Sequence, residues 1–109
     1  MLRFTNQANL DLSHILAGLM SFRIGDAEDP SLTLEHAEQI FDEIADAIAT
    51  IPTAVYHFPN TFAGLAAYGQ YVFTYTRNRT NWYAFYNKVG EDFIVTRITN
   101  NWNILLPRL

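Results

Sequence analysis

The stretch that decides the fold runs from Tyr71 to Asn101 and reads YVFTYT, RNRT, NWYAFYNK, VGE and DFIVTRITNN. Three runs rich in β-branched and aromatic residues are separated by two short clusters of turn-forming residues, which is typical of strands. Asn78 in the first cluster and Gly90 in the second tolerate the backbone angles of tight turns. Such short links favour antiparallel pairing between neighbours in sequence. We therefore predict an antiparallel meander over residues 71–101.

Two helices are predicted before the meander. Apolar residues recur at helical spacing over residues 11–22, and Asn9 or Asp11 is suited to cap this helix. A longer apolar stripe runs over residues 37–51 and defines a second helix, which Thr33 is suited to cap. Because the segment between the helices is short, the simplest packing is an antiparallel hairpin with both stripes turned toward one face of the sheet.

The chain, residues 1–109, is therefore predicted to be one α+β domain, with a helical hairpin packed on a three- to four-stranded antiparallel sheet. Residues 1–5 alternate in the manner of a short edge strand. Residues 54–58 also suit a strand, and residues 64–67 suit the start of a further strand that continues into Tyr71.

The composition is that of a folded protein, with 50% hydrophobic and 17% charged residues. The chain has no cysteine, which excludes disulfides and thiolate chemistry. No run approaches the ~18–20 apolar residues of a membrane span, and the first residues lack the apolar run of a signal peptide. We expect a cytoplasmic protein without a membrane partner.

The net charge of −4 is unevenly distributed along the chain. Residues 1–52 hold nine acids and two bases, a net −7, whereas residues 53–109 hold two acids and five bases, a net +3. The acidic total disfavours a generally basic nucleic-acid binder, while the locally basic meander keeps RNA open as a partner.

The predicted order of a short strand, two helices and a meander resembles the RelE/ParE superfamily of small bacterial toxins. Residues 93–101, FIVTRITNN, are similar to the last strand of these proteins, an apolar run with one Arg followed by a polar turn. Residues 80–88, TNWYAFYNK, look like the central strand of compact members that carry a Trp-Tyr pair.

The resemblance implies a toxin of a toxin-antitoxin system that either binds a protein target or cleaves messenger RNA without a metal. If the protein is a ribonuclease, the residues implied as catalytic are Arg97, which would stabilise the phosphate transition state, and Tyr83 or Tyr86, which would assist proton transfer. RNA-cleaving members often place a His shortly after that Arg, where this chain has Asn100 and Asn101. Binding is therefore the preferred function, with RNA cleavage as the alternative.

A partner would meet the basic and aromatic residues of the meander. The expected contact residues are Arg77, Arg79, Trp82, Lys88 and Arg97. The expected partner is an antitoxin-like protein or a second copy of the chain. A non-toxin interaction module or homodimer is the third interpretation, and in a purely structural interpretation the same aromatic residues form the core.

No cofactor or metal is predicted. His14, His36 and His57 lie far apart in the sequence, and no pair has the spacing of metal ligands. Phosphate-binding, dinucleotide-binding and nucleophile motifs are also missing from the sequence.

Overall fold

The computed structural model describes residues 1–24, 30–77 and 80–101. Its helices and strands are, in chain order, β1 (Leu2–Phe4), α1 (Asn6–Ile24), α2 (Pro30–Ile48), β2 (Tyr71–Arg77), β3 (Thr80–Val89) and β4 (Asp92–Asn100). Within these ranges the fold is α+β, with two helices and one four-stranded sheet. None of the helices described is long and apolar enough to cross a membrane.

The strand order is β1-β4-β3-β2, and the predicted meander is confirmed because β3 pairs antiparallel with both β2 and β4. The sheet is nevertheless mixed, because β1 pairs parallel with β4. The prediction of a purely antiparallel sheet is therefore wrong. Between β1 and the meander the chain runs through two helices, and a connection of that length allows parallel pairing.

The helix α1 begins at Asn6 rather than at residue 11. Thr5 caps it in place of the predicted Asn9 or Asp11, because the Thr5 hydroxyl accepts a hydrogen bond from the Ala8 amide at 3.1 Å. The first turn has no apolar periodicity to indicate a helix, and this polar start explains the late predicted beginning.

The helix α2 begins at Pro30, so Thr33 lies inside the helix and not at its cap. A proline suits the first turn of a helix, because the amide it lacks would have no partner there. The connection between the helices, residues 25–29, lies outside the described residues, and so does the turn of the predicted hairpin.

The main core lies between the helices and the inner face of the sheet. The apolar stripe predicted for α2 is confirmed at Ile40, Ile44 and Ile48, which are all buried, and it continues to Ile51. The sheet contributes the buried residues Trp82, Ala84, Tyr86, Phe93, Val95 and Ile98.

Part of the outer face of the sheet is covered by the chain itself. Leu65 is buried against Val72 and Phe85, with three half-buried aromatic residues around them, Phe62, Tyr68 and Tyr83. The predicted strand over residues 64–67 is wrong, because Ala66–Tyr68 forms a 3-10 turn. Residues 54–58 likewise form no strand, although Pro59 makes a single bridge to Tyr71.

Two residues fix this covering segment on the sheet. The Asn60 side-chain amide donates to the carbonyls of Leu65 and Gly69, at 2.9 and 3.0 Å. Gly69 passes so close to β3 that a Cβ atom there would lie 2.9 Å from the Tyr86 backbone nitrogen. The outer layer therefore depends on the hydrogen bonds of the Asn60 side chain and on the absence of a side chain at residue 69.

Candidate partner-binding site

Arg97 lies on the outer side of the sheet because β4 contains a bulge beside Thr96. Strict alternation would place Arg97 on the same face as Phe93 and Val95, which pack in the inner core. The extra residue reverses the alternation, and the Arg97 guanidinium lies 4.6 Å from the centre of the Tyr68 ring on the outer face. The sequence pattern alone does not reveal this bulge.

A buried carboxylate holds Arg97 in place. Asp11 Oδ2 accepts hydrogen bonds from Arg97 Nε and from the Ile98 amide, both at 2.9 Å, and Oδ1 accepts one from Gln7 Nε2 at 3.0 Å. The Asp11 side chain is only 7% exposed, whereas that of Arg97 is 34% exposed. The Asp11 carboxylate thus largely neutralises the Arg97 cation, and this ion pair joins α1 to β4.

Tyr86 lies on the opposite, inner face, where His57 contacts it. His57 Nδ1 is 2.6 Å from the Tyr86 hydroxyl, and the imidazole stacks on Phe93 with ring centres 4.9 Å apart. Burial, with a smaller effect from Tyr71, raises the pKa of Tyr86 to about 12. The phenol therefore stays protonated near neutral pH, so it can donate a hydrogen bond and is a poor general base.

Sequence reasoning missed the contact between His57 and Tyr86. The two residues are 29 positions apart, and residues 54–58 were expected to form a strand. The only signal was a single His inside an otherwise apolar run, which does not identify its neighbour.

Three strongly exposed apolar residues of the described chain lie in the same segment. Val55 is fully exposed, Tyr56 is 61% exposed and Phe58 is 63% exposed. The rings of Tyr56 and Phe58 meet edge to face, with centres 4.7 Å apart. The Phe58 carbonyl accepts a hydrogen bond from the Val72 amide at 2.9 Å, which fixes the segment against the edge of β2.

A cation contacts the same ring as His57, the residue between Tyr56 and Phe58. The Lys88 ammonium is 5.7 Å from the centre of the Phe93 ring, the ring on which His57 stacks. Within the described part of the chain, Lys88 is exposed and forms no salt bridge. We call Val55, Tyr56, Phe58 and Lys88 together the Phe58 surface.

The other residues predicted to contact a partner are separated from one another. Arg77 donates through Nε to Glu43 of α2, on the inner side of the far end of β2. Trp82 is 7% exposed and belongs to the inner core, so it presents almost no surface to a partner. Arg79 is outside the described residues. Tyr83, which is predicted only as a catalytic residue, lies on the outer face under Phe62.

The predicted catalytic set is not brought together either. Arg97 and Tyr83 lie on the outer face, whereas Tyr86 lies on the inner face. In the described ranges, no three His, Asp or Glu side chains are grouped so that they could hold a metal ion.

Comparisons with known proteins do not place the chain in a family. No family model matches the sequence, and neither a curated protein nor a solved structure matches it significantly.

Proposed function

We propose that this protein binds a partner protein through the Phe58 surface, as a RelE/ParE-like toxin or a diverged member of a bacterial toxin-antitoxin system in the cytoplasm. The observation that carries the proposal is the exposed pair Tyr56 and Phe58, whose rings meet edge to face and whose backbone is hydrogen-bonded to the edge of β2 at Phe58. Exposed aromatic residues on a fixed backbone lose little conformational entropy on binding, and they often dominate interface energies.

The order of elements supports the toxin-like part of the proposal. One short strand, two helices and an antiparallel meander follow one another as the resemblance implied. The helices α1 and α2 pack against each other. We propose that they form the helical hairpin expected for this order.

The chemistry of the surface specifies the partner. Apolar anchors must fill the space around Tyr56 and Phe58, and a carboxylate must meet Lys88. An acidic amphipathic segment supplies both, and an antitoxin-like chain with such a segment is the partner we propose. Its affinity should fall with added salt, because the Lys88 contact would lie at an exposed rim.

RNA cleavage is the second candidate function, and one arrangement favours it. Tyr86, His57 and Lys88 lie around Phe93, and together they offer a phenol, an imidazole and a cation. Against it, Tyr86 is 2% exposed, and Arg97 is on the opposite face and bound to Asp11. A phosphate would therefore reach these groups only after a rearrangement, so we rank binding first.

Inducible expression in a bacterial host tests the proposal. The expected result is growth arrest with intact messenger RNA, relieved by co-expression of the protein encoded by the adjacent small reading frame. Arrest with messenger RNA cut early would instead support the ribonuclease. Absence of both arrest and binding to the neighbouring product would overturn the toxin-type proposal.

Surface variants test where the partner binds. The change Phe58→Ser should weaken binding to the neighbouring protein by tenfold or more, the effect expected when an aromatic anchor contributes about 1.4 kcal/mol or more. Lys88→Glu should weaken binding most at low salt. Leu10→Ser is the matched control, because Leu10 is an exposed apolar residue on α1 and not on the Phe58 surface. Equal effects of Phe58→Ser and Leu10→Ser would show that the partner binds elsewhere.

A further inference from the structure

We propose that two copies of this chain associate through the exposed edge of β2, which pairs antiparallel with itself across a two-fold axis at Tyr75. The inference does not depend on the proposed function, since it concerns residues outside the Phe58 surface.

The backbone of β2 points unpaired groups outward over most of its length. The Val72 amide donates to Phe58, away from β3, so the amides and carbonyls of Thr74 and Thr76 point the same way by alternation. In the described chain these groups have no backbone partner, and both threonine side chains are exposed. We call the outward side of Phe73–Arg77 the β2 edge.

The opposite edge of the sheet is protected in ways that the β2 edge is not. The strand β1 spans only Leu2–Phe4, and its exposed Arg3 forms a salt bridge with Asp92. Further along β4, where β1 has ended, Asp11 accepts a hydrogen bond from the Ile98 amide. Short strands, charges and covering side chains are the usual means of preventing edge-to-edge pairing.

Among the described residues, none of these protections is found at residues 73–76 of the β2 edge. The sequence of β2 from residue 71 to residue 76, YVFTYT, contains no charge and no proline, and its pairing with β3 runs without a bulge. The one charged residue of the strand, Arg77, is turned to Glu43 of α2. An uncharged, regular edge strand of this kind is a template for pairing with another strand.

The available length fixes the register of self-pairing. Residues 58–60 already cover the start of β2, so a second strand has only Phe73–Arg77 to meet. Antiparallel pairing centred on Tyr75 matches this length and places Thr74 opposite Thr76 of the second copy. Because both threonines direct their backbone groups outward, this register forms two hydrogen-bonded pairs related by the axis.

The side chains suit this register. Tyr75 faces Tyr75 of the second copy as a non-hydrogen-bonded pair, the kind in which side chains come closest. Phe73 faces Arg77 of the second copy, whose guanidinium is bonded to Glu43 and whose aliphatic stem is left to pack on the ring. Phe73, Tyr75 and Arg77 are all half-buried at the rim of the inner core, so a second strand would cover their remaining exposed surface. Each copy supplies amides and carbonyls that meet the carbonyls and amides of the other copy, so a second copy is a sufficient partner.

Cysteine crosslinking of the purified protein tests the register. The chain has no cysteine, so a single introduced thiol reports only on contact between copies. Oxidised Tyr75→Cys should convert largely to a covalent dimer, because two Cβ atoms that face each other across the axis lie near disulfide distance. Thr74→Cys is the control, since residue 74 is more exposed than residue 75 but faces Thr76 in this register. Equal crosslinking of the two variants would overturn the register.

Light scattering after size-exclusion chromatography tests the association. The wild-type protein should have twice the mass of one chain, and Thr74→Pro should halve it, because proline removes an outward amide and leaves the bonds to β3 in place. A circular dichroism spectrum shows whether Thr74→Pro remains folded. If it does not, the crosslinking pair decides. A wild-type protein that is monomeric at high concentration would overturn the proposal, as would a dimer in which Tyr75→Cys does not crosslink.

Discussion

Removing the carboxylate of Asp11 should be among the most damaging single changes outside the aliphatic core. The change Asp11→Ala leaves the buried Ile98 amide without an acceptor and leaves Arg97 without its counter-ion. A hydrogen bond to a charged group is worth about 1.5–3 kcal/mol, and breaking a buried ion pair costs about 3–5 kcal/mol. Because the Arg97 side chain is 34% exposed and partly solvated, we expect a loss of about 3 kcal/mol in the free energy of unfolding.

Two further variants separate the contributions within this cluster. Asp11→Asn keeps an acceptor for the Ile98 amide, but it loses the charge and replaces the oxygen that accepts from Gln7, so it should cost about 1–2 kcal/mol. Arg97→Ala leaves Asp11 bonded to Ile98 and Gln7, and its expected cost is similar. The combination of Asp11→Asn with Arg97→Ala should cost clearly less than the sum of the single changes, because both remove one shared interaction.

Urea denaturation followed by circular dichroism measures these costs by linear extrapolation. The slope of the transition should be the same in all variants if the folded and unfolded states keep their compactness. A loss below about 0.5 kcal/mol for Asp11→Ala, typical of surface substitutions, would refute the reasoning. Additive single and double changes would show that Asp11 and Arg97 do not interact in solution.

Three other changes test the core, the outer layer and the buried phenol. Ile44→Ala should cost about 2–5 kcal/mol in urea denaturation, because Ile44 is fully buried at the centre of the α2 stripe, and a loss close to that of Leu10→Ala would contradict this. Gly69→Ala should lower the melting temperature, because its Cβ would lie 2.9 Å from the Tyr86 nitrogen, and an unchanged melting temperature would mean that the segment can move away. Since burial raises the pKa of Tyr86 from 10.0 to about 12, the unfolded chain loses this proton first and stability should fall between pH 10 and 12. Tyr86→Phe should show a shallower fall over the same pH range, and equal slopes would show that Tyr86 is not the group responsible.

Residues with strong local patterns were predictable from the sequence. The meander follows from alternating apolar runs and short turns, and the α2 stripe follows from its spacing, because both depend on interactions between near neighbours. The parallel pairing of β1 was not predictable in this way. It depends on pairing between residues as distant in sequence as Leu2 and Phe93. A strand of three residues has no sequence pattern that distinguishes parallel from antiparallel pairing.

The candidate site was harder to predict because its members are joined only in three dimensions. Asp11 looked like a helix cap, yet the helix begins earlier and Thr5 takes that role, which frees the carboxylate for β4. His57 approaches Tyr86 through an irregular segment with no periodic signal. The exposed side chain of Phe58 was likewise hidden, since an apolar residue in a short apolar run is normally read as core.

The bulge beside Thr96 also determines how Arg97 can be tested for a catalytic role. In this geometry Arg97 supports the fold, so a loss of activity in Arg97→Ala alone would not separate chemistry from stability. Asp11→Asn does separate them, because it weakens the restraint on the guanidinium and removes the neutralising charge. If Arg97 served a phosphate, Asp11→Asn should preserve or increase RNA cleavage per folded molecule while stability falls. If Arg97 is structural, Asp11→Asn and Arg97→Ala should reduce stability alike and change activity only through the folded fraction. Cleavage that rises in Asp11→Asn and vanishes in folded Arg97→Ala would favour the ribonuclease over the binding protein.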